Sequence, residues 1–211
     1  MVVDPTIEFE KSLWKQGFQL VAGIDEAGRG AWAGPVMAGA AILPVDYLIG
    51  IALHGVRDSK MLSPAQREKM AEIIKAHALS WAVGSADNLE IDQIGILPAT
   101  KLAMRRALEA LSVIPDYLLI DFVHLPEIAI PQLSIVKGDA KSLSIASASI
   151  LAKTTRDKWM TENAAVSYPH YGFEKHKGYG TKLHRDRIAE WGPCEIHRLT
   201  FKPFNHENSA I

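Results

Sequence analysis

Phe18-Gln-Leu-Val-Ala-Gly-Ile-Asp25, followed at once by Glu26-Ala-Gly28-Arg29-Gly30, organises everything around it in this chain of 211 residues. A mostly apolar run that closes on an acid predicts a strand over 18–25. Gly28, Gly30, Gly34 and Pro35 predict a turn, and the apolar run 36–43 predicts a second strand antiparallel to the first. Working outward, Ser63-Pro64 with Gln66 predicts a capped helix running to about Ala78. Residues 79–86 predict a third strand. Leu102, Ala103, Met104, Ala107, Leu108 and Leu111 give a core-facing stripe to a helix over about 98–112. Short strands over 117–121 and 133–136 follow, then a small-residue helix over about 143–162. A last helix over 181–191 is stopped by Gly192-Pro193. This order predicts an α/β fold, a central mixed five-stranded sheet flanked by helices. Residues 1–165 are expected to form the core. Residues 166–211 form a C-terminal helical extension packed on it, within one domain.

The composition is that of a globular chain, 48% hydrophobic and 22% charged, which excludes a disordered one. Cys194 is the one cysteine, so no disulfide forms within the chain. The N-terminus shows no signal-peptide pattern, and the uncharged run 31–45 is too short to span a membrane. The expectation is a cytoplasmic, monomeric protein with no membrane partner. A net charge of −1 argues against a nucleic-acid binder only if charge is evenly spread. It is not: residues 137–187 hold ten Lys and Arg against five Asp and Glu, interleaved with Tyr168, Tyr171, Phe173 and Tyr179. That mixture suits a nucleic-acid groove.

Two predicted strands end in carboxylates, Asp25-Glu26 and Asp121, and Asp139 lies just past a third. Any one of them could cap a helix or pair with a base. Together, at strand ends, they suit a hard divalent cation such as Mg²⁺. Adjacent strand residues face opposite ways, so Asp25 and Glu26 share a site only if the strand stops there. The segment after the strand is not a P-loop, because it lacks the Lys-Ser/Thr ending and carries two acids. Gly28-Arg29-Gly30-Ala31-Trp32-Ala33 fits a loose dinucleotide pattern, but a strand follows where a helix is needed. A bare Gly-Arg-Gly turn instead offers backbone groups to a ligand such as a ribose 2′-hydroxyl. His170, His176 and His184 lack zinc-type spacing, and Cys194 with His197 lacks a third orienting group for nucleophilic catalysis.

Gly23-Ile-Asp-Glu-Ala-Gly-Arg-Gly30 with Ala33-Gly-Pro-Val36 resembles the signature of ribonuclease HII. The resemblance continues through Asp58-Ser-Lys60, Leu119-Ile-Asp121, Lys137-Gly-Asp-Ala-Lys-Ser142, Ser149-Ile-Leu-Ala-Lys153 and His176-Lys-Gly-Tyr-Gly-Thr181, over about residues 20–190. It implies an RNase H-like fold and an endonuclease acting on RNA–DNA hybrids and on ribonucleotide-containing duplex DNA, with Mg²⁺ or Mn²⁺, two ions in the working complex. By the same resemblance Asp25, Glu26, Asp121 and Asp139 are the metal-binding catalytic acids. Gly28, Arg29 and Gly30 read the 2′-hydroxyl, Tyr179 packs on the deoxyribose at the junction, and Lys60 and Lys153 join the substrate-binding set. The chain departs from the pattern at Ala31-Trp32 and at Phe122. A hybrid-binding module without catalysis is the competing expectation.

Overall fold

The computed structural model describes residues 4–204. Nine α-helical segments and five strands follow one another among them. Helix α1 is Glu8–Lys15, strand β1 Val21–Ala27 and β2 Val36–Ile42. Then come α2 (Ile49–Ala52), α3 (Pro64–His77), β3 (Ser80–Ala86), α4 (Asn88–Ile94) and α5 (Ile96–Glu109). Strands β4 (Tyr117–Asp121) and β5 (Gln132–Ile135) precede the long α6 (Leu143–Trp159). The short α7 (Ala165–Ser167) and α8 (Phe173–His176) lead to α9 (Lys182–Trp191). The sheet order is β3-β2-β1-β4-β5, antiparallel on the β3-β2-β1 side and parallel from β1 to β5. The expected mixed five-stranded α/β sheet is therefore present.

Alternation along the strands divides the core. Leu119 and Val21 pack with Ile145, Ile150 and Leu151 of α6 and Ile74 of α3. Leu118, Ile120 and Ile24 pack on the other face with Ala99, Ala103, Met104 and Ala107 of α5. With helices on both faces, every residue of β2 is buried, which explains its uninterrupted apolar run. Helix α6 lies unusually close to the sheet. A Cβ added at Gly23 of β1 would stand 2.1 Å from the Ser144 carbonyl carbon, so only glycine fits there.

The capping signal is realised at α3, where Ser63 and Gln66 form a reciprocal capping box. At α9, Thr181 is the cap and not the first helical residue, accepting from the His184 N–H. Several boundaries differ from expectation, among them the start of β1, at Val21 and not Phe18. Strand β1 continues through Asp25 and Glu26 to Ala27, and β5 sits one residue earlier. Helix α5 starts at Ile96, two residues before Pro98, and α6 gives way to a π turn over Met160–Ala164. Helices α1 and α4 and the short α2, α7 and α8 are additions to the expected set. Helix α4 is started by a capping box of Asp87 and Glu90. In α1, Glu10 is buried and accepts from the Ser144 N–H at 3.0 Å and from the Ser142 and Ser144 hydroxyls at 2.6 Å each. A carboxylate thus sits at the electropositive start of α6. No helix among the described residues is long and apolar enough to cross a membrane.

Gly23→Ala is expected to lower the unfolding free energy by more than about 2 kcal/mol, because rigid backbone on both sides cannot absorb the methyl. Urea unfolding followed by circular dichroism checks this; an unchanged midpoint would mean that α6 stands further from β1.

Candidate active site

The sheet brings three of the four acids together. The last rung of the β1–β4 ladder pairs Ile24 with Ile120, and Asp25 and Asp121 are the next residues of the two strands. Asp139 follows β5 in a short 3₁₀ turn, and the neighbouring Gly138 N–H donates to Asp121 Oδ1 at 2.6 Å. Burial, then Glu26 and Asp121, push the Asp25 carboxyl well above the ordinary carboxylate range. Asp139 is raised by burial and by Asp58 and Asp121. Burial also raises Glu26, against the Arg29 guanidinium that pulls it down. These are carboxylates crowded without enough positive charge to neutralise them.

Strand β1 does not stop between Asp25 and Glu26, contrary to the condition derived from the sequence. The two side chains instead have different partners. Asp25 is held by Ser149 of α6, while Glu26 Oε1 accepts from Arg29 Nη1 at 3.1 Å. As the side chains stand, no three His, Cys, Asp or Glu among the described residues group closely enough to hold a metal ion. The donor chemistry nevertheless suits one. The ligand atoms are hard carboxylate oxygens, and Glu26 Oε2 is buried with no hydrogen-bond partner.

A cleft of about 450 Å³ opens beside Glu26, lined by Gly28, Arg29, Gly30, Lys60, Lys153 and Tyr179 together with Ala27, Ser59 and Ser149. Every expected substrate-binding residue is therefore in one place. Burial alone would pull the Lys60 ammonium down, but Asp58, Asp139, Asp25 and Asp121 together lift it above its ordinary value, so it faces the acids. Lys153 is already paired, its Nζ 2.6 Å from Asp157 Oδ1, and that Nζ and the Arg156 guanidinium each lie 5.3 Å from the Tyr179 ring centre. Asp58, Ser59 and Ser149 were not among the expected site residues. All three do stand inside the motifs quoted above, which was the available signal.

The basic stretch is less free than its sequence suggests. Lys158, Lys182 and Arg187 pair with Glu162, Asp186 and Glu190, and Arg156 is fully buried. Arg156 serves the loop: it donates to the carbonyls of Ala33, Pro35 and Lys177. A Cβ at Gly28, whose φ is +95°, would meet Arg156 Nε at 2.0 Å. At Gly30 a Cβ would meet nothing within 4 Å, so the fold requires glycine at 28 and not at 30. Trp32 fits because Gly180 leaves room for its ring, 2.3 Å from where a Cβ would stand. Phe122, directly after Asp121, is 62% exposed and has φ 57°, a left-handed conformation that bulky side chains rarely adopt.

Cys194 Sγ does lie 3.1 Å from His197 Nδ1, but burial pushes the thiol up to about 11 and the imidazole down to about 4, the reverse of an activated pair. His197 Nε2 instead meets His184 Nε2 at 3.0 Å, and His176 stacks on His184 with ring centres 4.3 Å apart. The three rings pack with Tyr171 and Phe173, which makes them a structural cluster.

With this geometry in hand, the family model of ribonuclease HII matches residues 22–204. The chain belongs to the ribonuclease HII family. A ribonuclease HII of Caldicellulosiruptor saccharolyticus is 50% identical over 194 residues, 92% of each chain. One of Dehalococcoides mccartyi is 54% identical over 194 residues, 92% of this chain and 91% of that one. The solved ribonuclease H2 of Pyrococcus horikoshii OT3 superposes with a TM-score of 0.70 at 27% identity, covering 87% of this chain and 94% of that one. The ribonuclease HII fold accounts for the α/β architecture and its flanking helices.

Asp25→Asn keeps an oxygen for Ser149 and the Glu26 N–H but removes a disfavoured charge. It is expected to raise stability at pH 7, because a carboxyl held above its ordinary range makes its ionised form costly in the folded state. Urea unfolding without divalent metal measures this, and a loss of stability would contradict the crowding. Burial, joined by neighbouring histidines, lowers His184 to about 3, and burial lowers His197 to about 4. Below pH 6.5 the unfolded chain takes up protons that the folded cluster refuses. The stability due to the neutral rings is therefore full above about pH 6.5 and declines toward pH 4, by about 1.4 kcal/mol per pH unit for each ring. The raised acids act in the opposite sense, so the titration is best made in the Asp25→Asn background. A flat profile there between pH 6.5 and 5 would refute it.

Proposed function

We propose that this chain is a metal-dependent endonuclease that cuts the RNA strand of RNA–DNA hybrids and incises 5′ to a ribonucleotide embedded in duplex DNA. It would leave 3′-hydroxyl and 5′-phosphate ends, and serve ribonucleotide removal and RNA primer processing. Asp25, Glu26, Asp121 and Asp139 are the residues that would hold Mg²⁺ or Mn²⁺, two ions in the working complex. When bound, such ions supply a water activated for attack on phosphorus and positive charge for the leaving oxygen. The chain's own residues do the positioning. Lys60 faces the acids and the cleft, where it meets incoming phosphate. Arg29, braced on Glu26, presents a guanidinium at the cleft wall. Tyr179, supported by two cations, offers a ring on which a sugar packs. The C-terminal extension completes this surface with Tyr179 and holds the turn from behind.

The observation that carries the reading is the cleft itself: Glu26, whose carboxylate keeps one buried oxygen without a partner, and the bare backbone of Gly30 both line it. Glycine at 30 answers no need of the fold, and its exposed main chain leaves space for a ribose.

The test is cleavage of a duplex carrying one ribonucleotide, with Mg²⁺ and with EDTA. Asp121→Asn is expected to lower the rate by about a hundredfold or more while sparing most substrate binding. Binding without any metal-dependent nick would favour a hybrid-binding module instead. Gly30→Ala is expected to leave stability within about 1 kcal/mol of wild type. It should cut cleavage at the single ribonucleotide by about a hundredfold, through misplacement of the sugar. Normal cleavage by Gly30→Ala would remove the turn from the site.

A further inference from the structure

Arg198 lies in the C-terminal segment, far along the chain from the cleft, and it is fully buried. It forms no ion pair among the described residues. Its Nε donates to Gly34 O at 2.9 Å and its Nη1 to Arg29 O at 3.0 Å, while Nη2 is buried without a partner. Phe201 lies under the guanidinium, 5.2 Å from it. Residues beside Arg198 hold the same loop: its own N–H donates to Trp32 O at 2.8 Å, and Ile196 O accepts from Gly34 N–H at 2.8 Å.

What the bond to Arg29 O does follows from turn geometry. Ala31 N–H donates to Gly28 O at 3.2 Å, so residues 28–31 form a β-turn with Arg29 and Gly30 at its tip. The peptide between Arg29 and Gly30 is the central one of that turn, and it is trans. In a trans peptide the C=O and the N–H point in opposite directions. Type I and type II turns differ by a flip of that peptide, and glycine at the third position favours type II, with φ positive. Gly30 does not have positive φ. The turn therefore holds the orientation its sequence does not favour, with the Arg29 carbonyl drawn inward to Arg198. The Gly30 N–H consequently faces away from Arg198, at an exposed residue lining the cleft, and bonds to no group among the described residues.

We propose that Arg198 is a positioning residue that sets ribose selectivity: it locks the Arg29–Gly30 peptide so that the Gly30 N–H stands ready to donate to the 2′-oxygen of the bound ribonucleotide. This rests on the reading of Gly28–Gly30 as the ribose-contacting turn. Loss of the fork frees the peptide to flip, which turns the N–H inward and puts a carbonyl in its place.

The experiment measures dissociation constants for two duplexes in EDTA, one with a single ribonucleotide and one all-DNA, and takes their ratio. In Arg198→Lys, which keeps the charge but not the two-pronged geometry, the ribonucleotide preference is expected to fall about tenfold, with all-DNA binding within twofold of wild type. Cleavage of the single-ribonucleotide duplex should fall with it. A folded Arg198→Lys with unchanged preference overturns the proposal. Phe201→Leu loosens the guanidinium more gently and is expected to lower the preference two- to fivefold. It decides the matter if Arg198→Lys does not fold, and an unchanged preference there overturns the proposal equally. Gly30→Ala separates the two levels. If it keeps wild-type preference, the ribose-contacting turn itself is wrong. If it loses preference while Arg198→Lys keeps it, only the positioning role fails.

Discussion

The close seating of α6 on β1 is the contact on which the rest of the structure depends. Gly23 permits it, and the small residues of α6 on that face, Ser144, Ala148 and Ser149, make it dense. Because the helix cannot rise from the sheet, three of its side chains are delivered to fixed points. Ser149 meets Asp25, Lys153 reaches the cleft and Arg156 passes under Gly28 to the carbonyls of Ala33 and Pro35. The start of the helix is fixed as firmly, by the buried Glu10 carboxylate. One packing decision thus sets both the acids and the turn beside them.

Two kinds of strain accompany this arrangement. Asp25, Glu26 and Asp139 are carboxylates raised by burial and mutual repulsion, a cost that a bound cation would relieve. Arg156 and Arg198 are the mirror case, buried guanidiniums whose charge is met by main-chain carbonyls instead of acids. Burial and the neighbouring Arg156 bring Arg198 down to about 9. Functional sites are where such costs collect. Here Glu26 of the negative set lines the cleft, and the positive set lies behind its loop.

Much of the fold was legible in the sequence because local signals agreed with it. Tyr117–Asp121 is a strand with the expected bounds, and Ser63 caps the helix it was expected to cap. Helix α1 was not legible, since its most important buried residue is a glutamate and burial patterns are sought in apolar residues. Helix α4 did carry its Asp87–Glu90 capping signal, but over too short a stretch to show a stripe. The cleft residues were legible through motif resemblance, not through periodicity. Arg198 was not: in a polar tail an arginine reads as surface, and only tertiary contacts reveal it as interior. The basic stretch erred the other way, since spacing along the chain does not disclose which lysines are already paired.

The turn at Gly28–Ala31 is made long before its partner, for Arg198 Nη1 reaches Arg29 O across 169 positions of sequence. Gly34 likewise waits for Ile196 and Ala33 for His197. Contacts of such separation form last, because the chain between them must first be gathered. A nascent chain would therefore hold its sheet, and the acids on it, before it held a set turn. The turn would take its final form only once residues 196–198 had emerged and folded back onto it.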